Sequence, residues 1–121
     1  LSGVIQTGEQ RGRQLGFPTA NMDLGDYLRP AYGVYAVRVT CPSLGLDNHA
    51  GVANLGRRPT LDGSREWFEI HLMDWQGEAY GSLWQISLHH FIRREQKFAN
   101  LDALVAQIHA DKNTASQLLA A

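Results

Sequence analysis

The stretch Gly12 to Asn21, GRQLGFPTAN, sets two glycines, an arginine and a proline directly ahead of Thr19 and Asn21. Gly12 and Gly16 permit positive φ or the close approach of another molecule, while Pro18 fixes its own φ and biases Phe17 toward extended geometry. A loop of this composition can aim successive N–H groups at an anion, and Arg13 adds a planar fork of donors suited to phosphate. It fits neither GxxxxGK[ST] nor GxGxxG, so no standard nucleotide motif accounts for it. The competing reading is a turn held by its own hydrogen bonds. The Thr19 hydroxyl and the Asn21 amide oxygen are hard donors, and in extended chain positions i and i+2 share a side. Together they could take part in a Mg²⁺ site that keeps several waters and draws other ligands from nucleotide phosphates. Local bonding of Thr19 and Asn21 within a turn accounts for the same two residues equally well.

Glu69 interrupts the apolar run EWFEIHLM on the side that carries Trp67 and His71. A carboxylate beside a pocket can accept a proton from an attacking hydroxyl; a carboxylate on the outer face of a strand can equally be solvated and inert. His89 and His90 are consecutive, so on a strand they face opposite ways, and no HExxH or Cys/His framework supports zinc. NLGRRPT (Asn54 to Thr60) and FIRREQKF (Phe91 to Phe98) each join a strand end to arginines. Each is either a solvated charged edge or a place for an anion or aromatic ligand.

Positioning these groups falls to segments with strand character, bounded by turn residues: about Ser2 to Gly8, Tyr32 to Thr40, His49 to Leu55, the EWFEIHLM run, and about Ser82 to Phe91. Tyr35, Val37 and Val39 alternate with Val34, Ala36 and Arg38; Phe68, Ile70 and Leu72 alternate with Trp67, Glu69, His71 and Met73. The period then changes. Leu101, Leu104, Val105, Ile108, Ala115, Leu118 and Leu119 follow helical spacing, with Asn100 as N-cap and Asp102 in the first turn, which predicts one amphipathic helix from Leu101 to about Ala120. Antiparallel strands followed by a terminal helix imply a small barrel with the helix packed on it. Residues 9–31 show no convincing period, and so long an unpatterned connection in a compact domain is usually functional or mobile.

A chain of 121 residues suits one domain and one core, so residues 1–121 are read as a single unit. Apolar residues at 44% and charged residues at 19% are ordinary for a globular protein and unlike disorder. Eleven basic against twelve acidic side chains leave a formal charge of −1, which gives no footprint for sequence-independent nucleic-acid binding. Cys41 is the only cysteine, so no intrachain disulfide can form. The near-neutral charge gives no reason to expect a nucleic-acid partner, and with neither a signal segment nor a long apolar span no membrane partner is expected and the location is read as cytoplasmic. A start without Met, almost directly in a strand, suggests a piece of a longer polypeptide.

GRQLGFPTAN, YGVYAVRV, GVANLGRRPT, FEIHLMDWQGEAYG and FIRREQKFANLDALVAQIHAD, in that order over nearly the whole chain, resemble the riboflavin kinase domain. In bacteria that domain is usually the C-terminal half of a bifunctional riboflavin kinase and FMN adenylyltransferase, so the resemblance implies an adenylyltransferase domain on the N-terminal side. It also implies a mainly β fold, a six-stranded antiparallel Greek-key barrel with a C-terminal helix packed on it, that transfers the ATP γ-phosphate to the riboflavin 5′-hydroxyl to give FMN and ADP. By matching positions, Thr19 and Asn21 would hold Mg²⁺ with the nucleotide phosphates, Gly8 and Arg13 would lie near the nucleotide in a flap-like loop, and Glu69 would be the catalytic carboxylate. Leu72, Asp74 and Tyr80 fall around the adenine, and Arg93 and Phe98 near the flavin. Arg13 matches as a basic residue, and Gln96 stands where relatives often carry a different polar residue. Two alternatives stand beside this: a catalytically silent flavin- or nucleotide-binding module, and an oligonucleotide-binding barrel, because small barrels host many functions.

Overall fold

The computed structural model describes residues 1–6, 19–22 and 30–120, with the backbone alone at 58–60. Among the described residues the strands are β1 (Ser2–Gln6), β2 (Ala20–Met22), β3 (Gly33–Cys41), β4 (Leu46–Thr60), β5 (Gly63–Leu72) and β6 (Leu83–Arg93), and helix α1 (Leu101–Ala120) follows them. All pairings are antiparallel, and the strands close into a barrel in the order β1-β2-β5-β4-β3-β6. The hairpin-linked run β3-β4-β5, with β6 returning beside β3, is a Greek key. Closure removes the open strand edges that would otherwise invite pairing with other chains.

Period-two alternation decides which side chains fill the barrel. Tyr35, Val37, Val39 and Cys41 of β3, Ala53 and Leu55 of β4, Phe68, Ile70 and Leu72 of β5 and Trp84 and Ile86 of β6 point inward and pack with Ile5, Ala20 and Met22. Trp84 is the largest fully buried side chain, and its indole N–H donates to Ser82 Oγ at 2.8 Å, so the polar edge of the ring keeps a partner inside the wall.

The outer face of the barrel is covered by α1. Ala36, Met73 and Ala115 form a second buried cluster, with Ala50, Val52, Ile92 and Leu119 against it. Asn100 caps the helix as its residue type predicts: its Oδ1 accepts the Ala103 N–H at 2.8 Å. At the other end Arg38 donates to the Leu119 carbonyl at 2.9 Å, placing a cation on the last turn where orphan carbonyls need donors. The apolar stripe differs from expectation at two places. Leu101 is 55% exposed, and the buried helical positions are Ala115 and Asp111.

Two strands also depart from their sequence pattern. β2 lies within the connection that shows no period, because three residues, all buried, are too short to display alternation. β4 runs to Thr60 rather than stopping near Leu55, so GRRPT is strand, paired with β5 from Gly56↔Trp67 to Thr60↔Gly63. Among the described residues no helix is long and apolar enough to cross a membrane.

Candidate active site

The polar residues of interest gather on the outside of the barrel. Inward and outward side chains alternate, so Phe68 and Ile70 inside the core require Glu69 to project outward. On one side of it β2 sets Asn21 directly opposite; on the other β4 sets Asn54 directly opposite. Residues so opposed carry their side chains on the same face with Cβ atoms about 4.5–5.5 Å apart. Glu69 therefore stands between two amide side chains, one strand away on either hand.

Thr19 completes the group. It immediately precedes β2 and its Oγ1 lies 3.5 Å from Glu69 Oε2, a long hydroxyl-to-carboxylate contact. Ala20 and Met22 are anchored in the core, which fixes the intervening Asn21 and the preceding Thr19 outward. The spacing read from the sequence, two oxygen donors at i and i+2 on one side, is realised here.

The Asn21 side chain is buried, at 6% exposure, and its Oδ1 accepts no hydrogen bond; the buried Oδ1 of Asn54 is in the same condition. A buried acceptor left unpaired costs about 1–3 kcal/mol, so two of them flanking one carboxylate mark a surface organised for something other than stability. The described residues hold no group of three or more His, Cys, Asp and Glu that could cage a metal. Mg²⁺, which keeps waters and phosphate oxygens, needs no such cage, and Thr19 with Asn21 offers it two hard oxygens.

Continuing across the wall, Asn54 is opposite Val34 and Val34 is opposite Arg93. The row Asn21, Glu69, Asn54, Val34, Arg93 thus crosses five strands at one level. Arg93 is held from behind: its Nε donates to Asp111 Oδ1 at 2.9 Å and its Nη2 to Asp111 Oδ2 at 2.8 Å, while Gln107 Nε2 supplies a further donor to Oδ1 at 3.0 Å. The Arg93 guanidinium lies 5.7 Å from the centre of the Phe98 ring. Arg93 and Phe98 are therefore neighbours, three strands from Glu69, and Arg93 serves as a clamp between β6 and α1.

The other predicted residues are distributed differently. Asp74 and Tyr80 lie on the connection from β5 to β6, which leaves the end of β5 nearest Thr19. Asp74 has a φ of 52°, and Tyr80 is 66% exposed, with its backbone N–H bonded to Glu78. Leu72 is 4% exposed with its side chain in the barrel core, so only its backbone can face a nucleotide. Gly8 and Arg13, with the rest of the glycine-containing loop, lie outside the described residues.

Two residues escaped the sequence pattern. Asn54 carries no signal of its own until the register places it beside Glu69. The other is Glu95: a Cβ at Gly56 would coincide with its carboxylate, which rests against β4 two positions beyond Asn54. A side chain at position 56 would require the Glu95 carboxylate to swing aside.

Comparison with known proteins completes the description. The flavokinase family, described as riboflavin kinase, matches residues 1–119. A bifunctional riboflavin kinase/FMN adenylyltransferase of Escherichia coli strain K12 is 46% identical over 117 residues, which is 97% of this chain and 37% of that relative. The chain thus spans little more than a third of the curated relative it matches. A Streptococcus pneumoniae crystal structure described as a macrolide-efflux protein superposes with a TM-score of 0.84 at 33% identity, covering 95% of this chain and 37% of that one. The crystal structure of riboflavin kinase from Trypanosoma brucei superposes with a TM-score of 0.70 at 25% identity, covering 98% and 78%.

Proposed function

The chain belongs to the riboflavin kinase family, and from that premise we propose that it transfers the γ-phosphate of ATP to the 5′-hydroxyl of riboflavin, giving FMN and ADP. The observation that carries this is the convergence of Thr19, Asn21 and Glu69 from two strands onto one patch of the outer wall.

Glu69 has the task of a general base. A primary hydroxyl does not ionise near neutral pH, so its proton must leave as the oxygen approaches phosphorus, and a carboxylate within hydrogen-bond reach receives it. The new bond forms between that oxygen and the γ-phosphorus; the bond to the bridging oxygen breaks and ADP leaves. Fixed in a strand of the closed wall, Glu69 orients the hydroxyl without reorganising at the moment of reaction.

Thr19 and Asn21 are the residues that would hold Mg²⁺. Thr19 donates its one proton toward Glu69, which leaves its oxygen lone pairs for a cation, and the unpaired Oδ1 of Asn21 is an acceptor awaiting one. When bound, the ion supplies neutralisation of phosphate charge. Gly8, Arg13, Asp74 and Tyr80 are assigned to the nucleotide, with Leu72 contributing backbone only. Arg93 and Phe98 are assigned to the flavin side, with Arg93 acting through its packing against Phe98. Nucleotide and flavin then approach Glu69 from different directions, the first past Thr19 and the second along the row from Arg93.

The relatives' length supports an FMN adenylyltransferase domain N-terminal to this one in the full polypeptide. The location is read as cytoplasmic, a reading supported by Cys41, a free thiol buried in the core that suits a reducing compartment. Incubation with riboflavin, ATP and Mg²⁺, with FMN measured by chromatography, tests the proposal. FMN formation is expected. Binding of both substrates without FMN would favour the silent module instead.

A further inference from the structure

Asn54 has a buried Oδ1 that accepts no hydrogen bond, at a place where none of its charged neighbours can supply one. Glu69, directly opposite, and Glu95, lying against Gly56, carry carboxylates, which accept and do not donate. Arg93, two strands away, has its Nε and Nη2 committed to Asp111 and its Nη1 to the Arg94 carbonyl at 3.0 Å. The indole N–H of Trp67, on the same face of β5, is likewise unbonded, so it does not serve Asn54 either, and the missing partner must bring its own proton.

Its chemistry differs from that of Asn21. Asn21 has a second hard oxygen on its side of the strand, at Thr19, and the pair suits a cation. The same-face neighbours of Asn54 along β4 are Val52 and Gly56, which offer no side-chain oxygen. Asn54 Oδ1 is a single neutral acceptor with no second side-chain oxygen from these strand neighbours, and a substrate hydroxyl, which brings one proton and no charge, satisfies it. Position sharpens this. Asn54 stands between Glu69, where the reacting hydroxyl is activated, and the Arg93–Phe98 end of the row. Adjacent strands are about 4.8 Å apart, so a flexible chain leading from the flavin ring to Glu69 must pass over Asn54.

We infer that Asn54 reads the polyol chain of the flavin substrate, its Oδ1 accepting a hydrogen bond from an internal ribityl hydroxyl and so aligning the terminal hydroxyl on Glu69. This rests on the kinase reading and adds a specificity-determining residue to it. A site built to bond a substrate hydroxyl rejects the analogue that lacks it, because its own acceptor is then left buried and unpaired.

The test compares riboflavin with a flavin whose N10 side chain keeps only its terminal hydroxyl, binding being measured by quenching of flavin fluorescence and turnover by kcat/KM. The native chain is expected to prefer riboflavin by about tenfold or more. Asn54→Leu should erase that preference by weakening riboflavin alone, with thermal stability equal to or above native because the unpaired Oδ1 is gone. Asn54→Ser, which keeps a hydroxyl but shortens the reach, should also lose the preference and covers the case of a poorly folding Leu variant. Equal weakening of both flavins, or a preference that survives both substitutions, overturns the inference. A native chain that binds neither flavin contradicts the kinase reading itself, and the inference falls with it.

Discussion

Asn21 of β2 and Glu69 of β5 are directly opposed across the barrel wall, so a neutral acceptor and a carboxylate leave the same face side by side. The core holds both in place, because Ala20 and Met22 on one strand and Phe68 and Ile70 on the other point inward. The site is a consequence of the alternation that builds the barrel.

Replacing Thr19 and Asn21 together by Ala removes both oxygens offered to the cation. Turnover in saturating ATP should fall at least a hundredfold, with the Mg²⁺ concentration giving half-maximal rate moved upward. The barrel should stay folded, since the orphaned Oδ1 of Asn21 contributes nothing to stability. Far-ultraviolet circular dichroism checks the fold and a Mg²⁺ titration of the rate checks the site. An unchanged metal dependence removes the assignment.

Asp111 anchors Arg93 with two parallel hydrogen bonds while only 4% exposed. Asp111→Ala leaves the Arg93 charge facing α1 without its counter-ion and should cost about 3–5 kcal/mol, read from urea unfolding. The Arg93→Met, Asp111→Leu double variant, which removes both charges, should recover much of that loss. A single variant as stable as the native chain would show the clamp to be dispensable.

Tyr32 Oη donates to Glu66 Oε2 at 2.7 Å, and this bond raises the phenol above its ordinary value near 10, with Arg57 opposing in part. Because the folded pKa is the raised one, the stabilisation is fully present below pH of about 10 and is lost as pH rises through the folded value. Phenolate absorbance should therefore show this tyrosine titrating late, and Glu66→Gln should bring it earlier. No change in the titration curve on that substitution would contradict the assignment.

Much of this was legible in the chain. Alternation over Tyr32 to Thr40 and over EWFEIHLM is long enough to identify strands and to sort Phe68 from Glu69, and Asn100 announces the helix by residue type. What was not legible depends on register. Nothing local pairs Asn54 with Glu69, since the partners lie on separate strands whose alignment is set by the whole β4–β5 ladder. Asp111 was hidden for another reason. It occupies the apolar stripe between Ile108 and Ala115, and an acidic residue there makes sense only once Arg93 is seen across from it. β2 is too short to carry a period, although the hard oxygen donors of Thr19 and Asn21, on its approach and within it, are visible in the residue types alone.

The central claim is that Glu69 takes the proton of the riboflavin 5′-hydroxyl as phosphate is transferred. It is tested most directly by comparing FMN formation in the native chain and in Glu69→Gln, a substitution that keeps size and polarity and removes the base. The rate is expected to fall by about 10²- to 10⁴-fold with flavin binding retained. Native-level FMN production by Glu69→Gln would contradict the account.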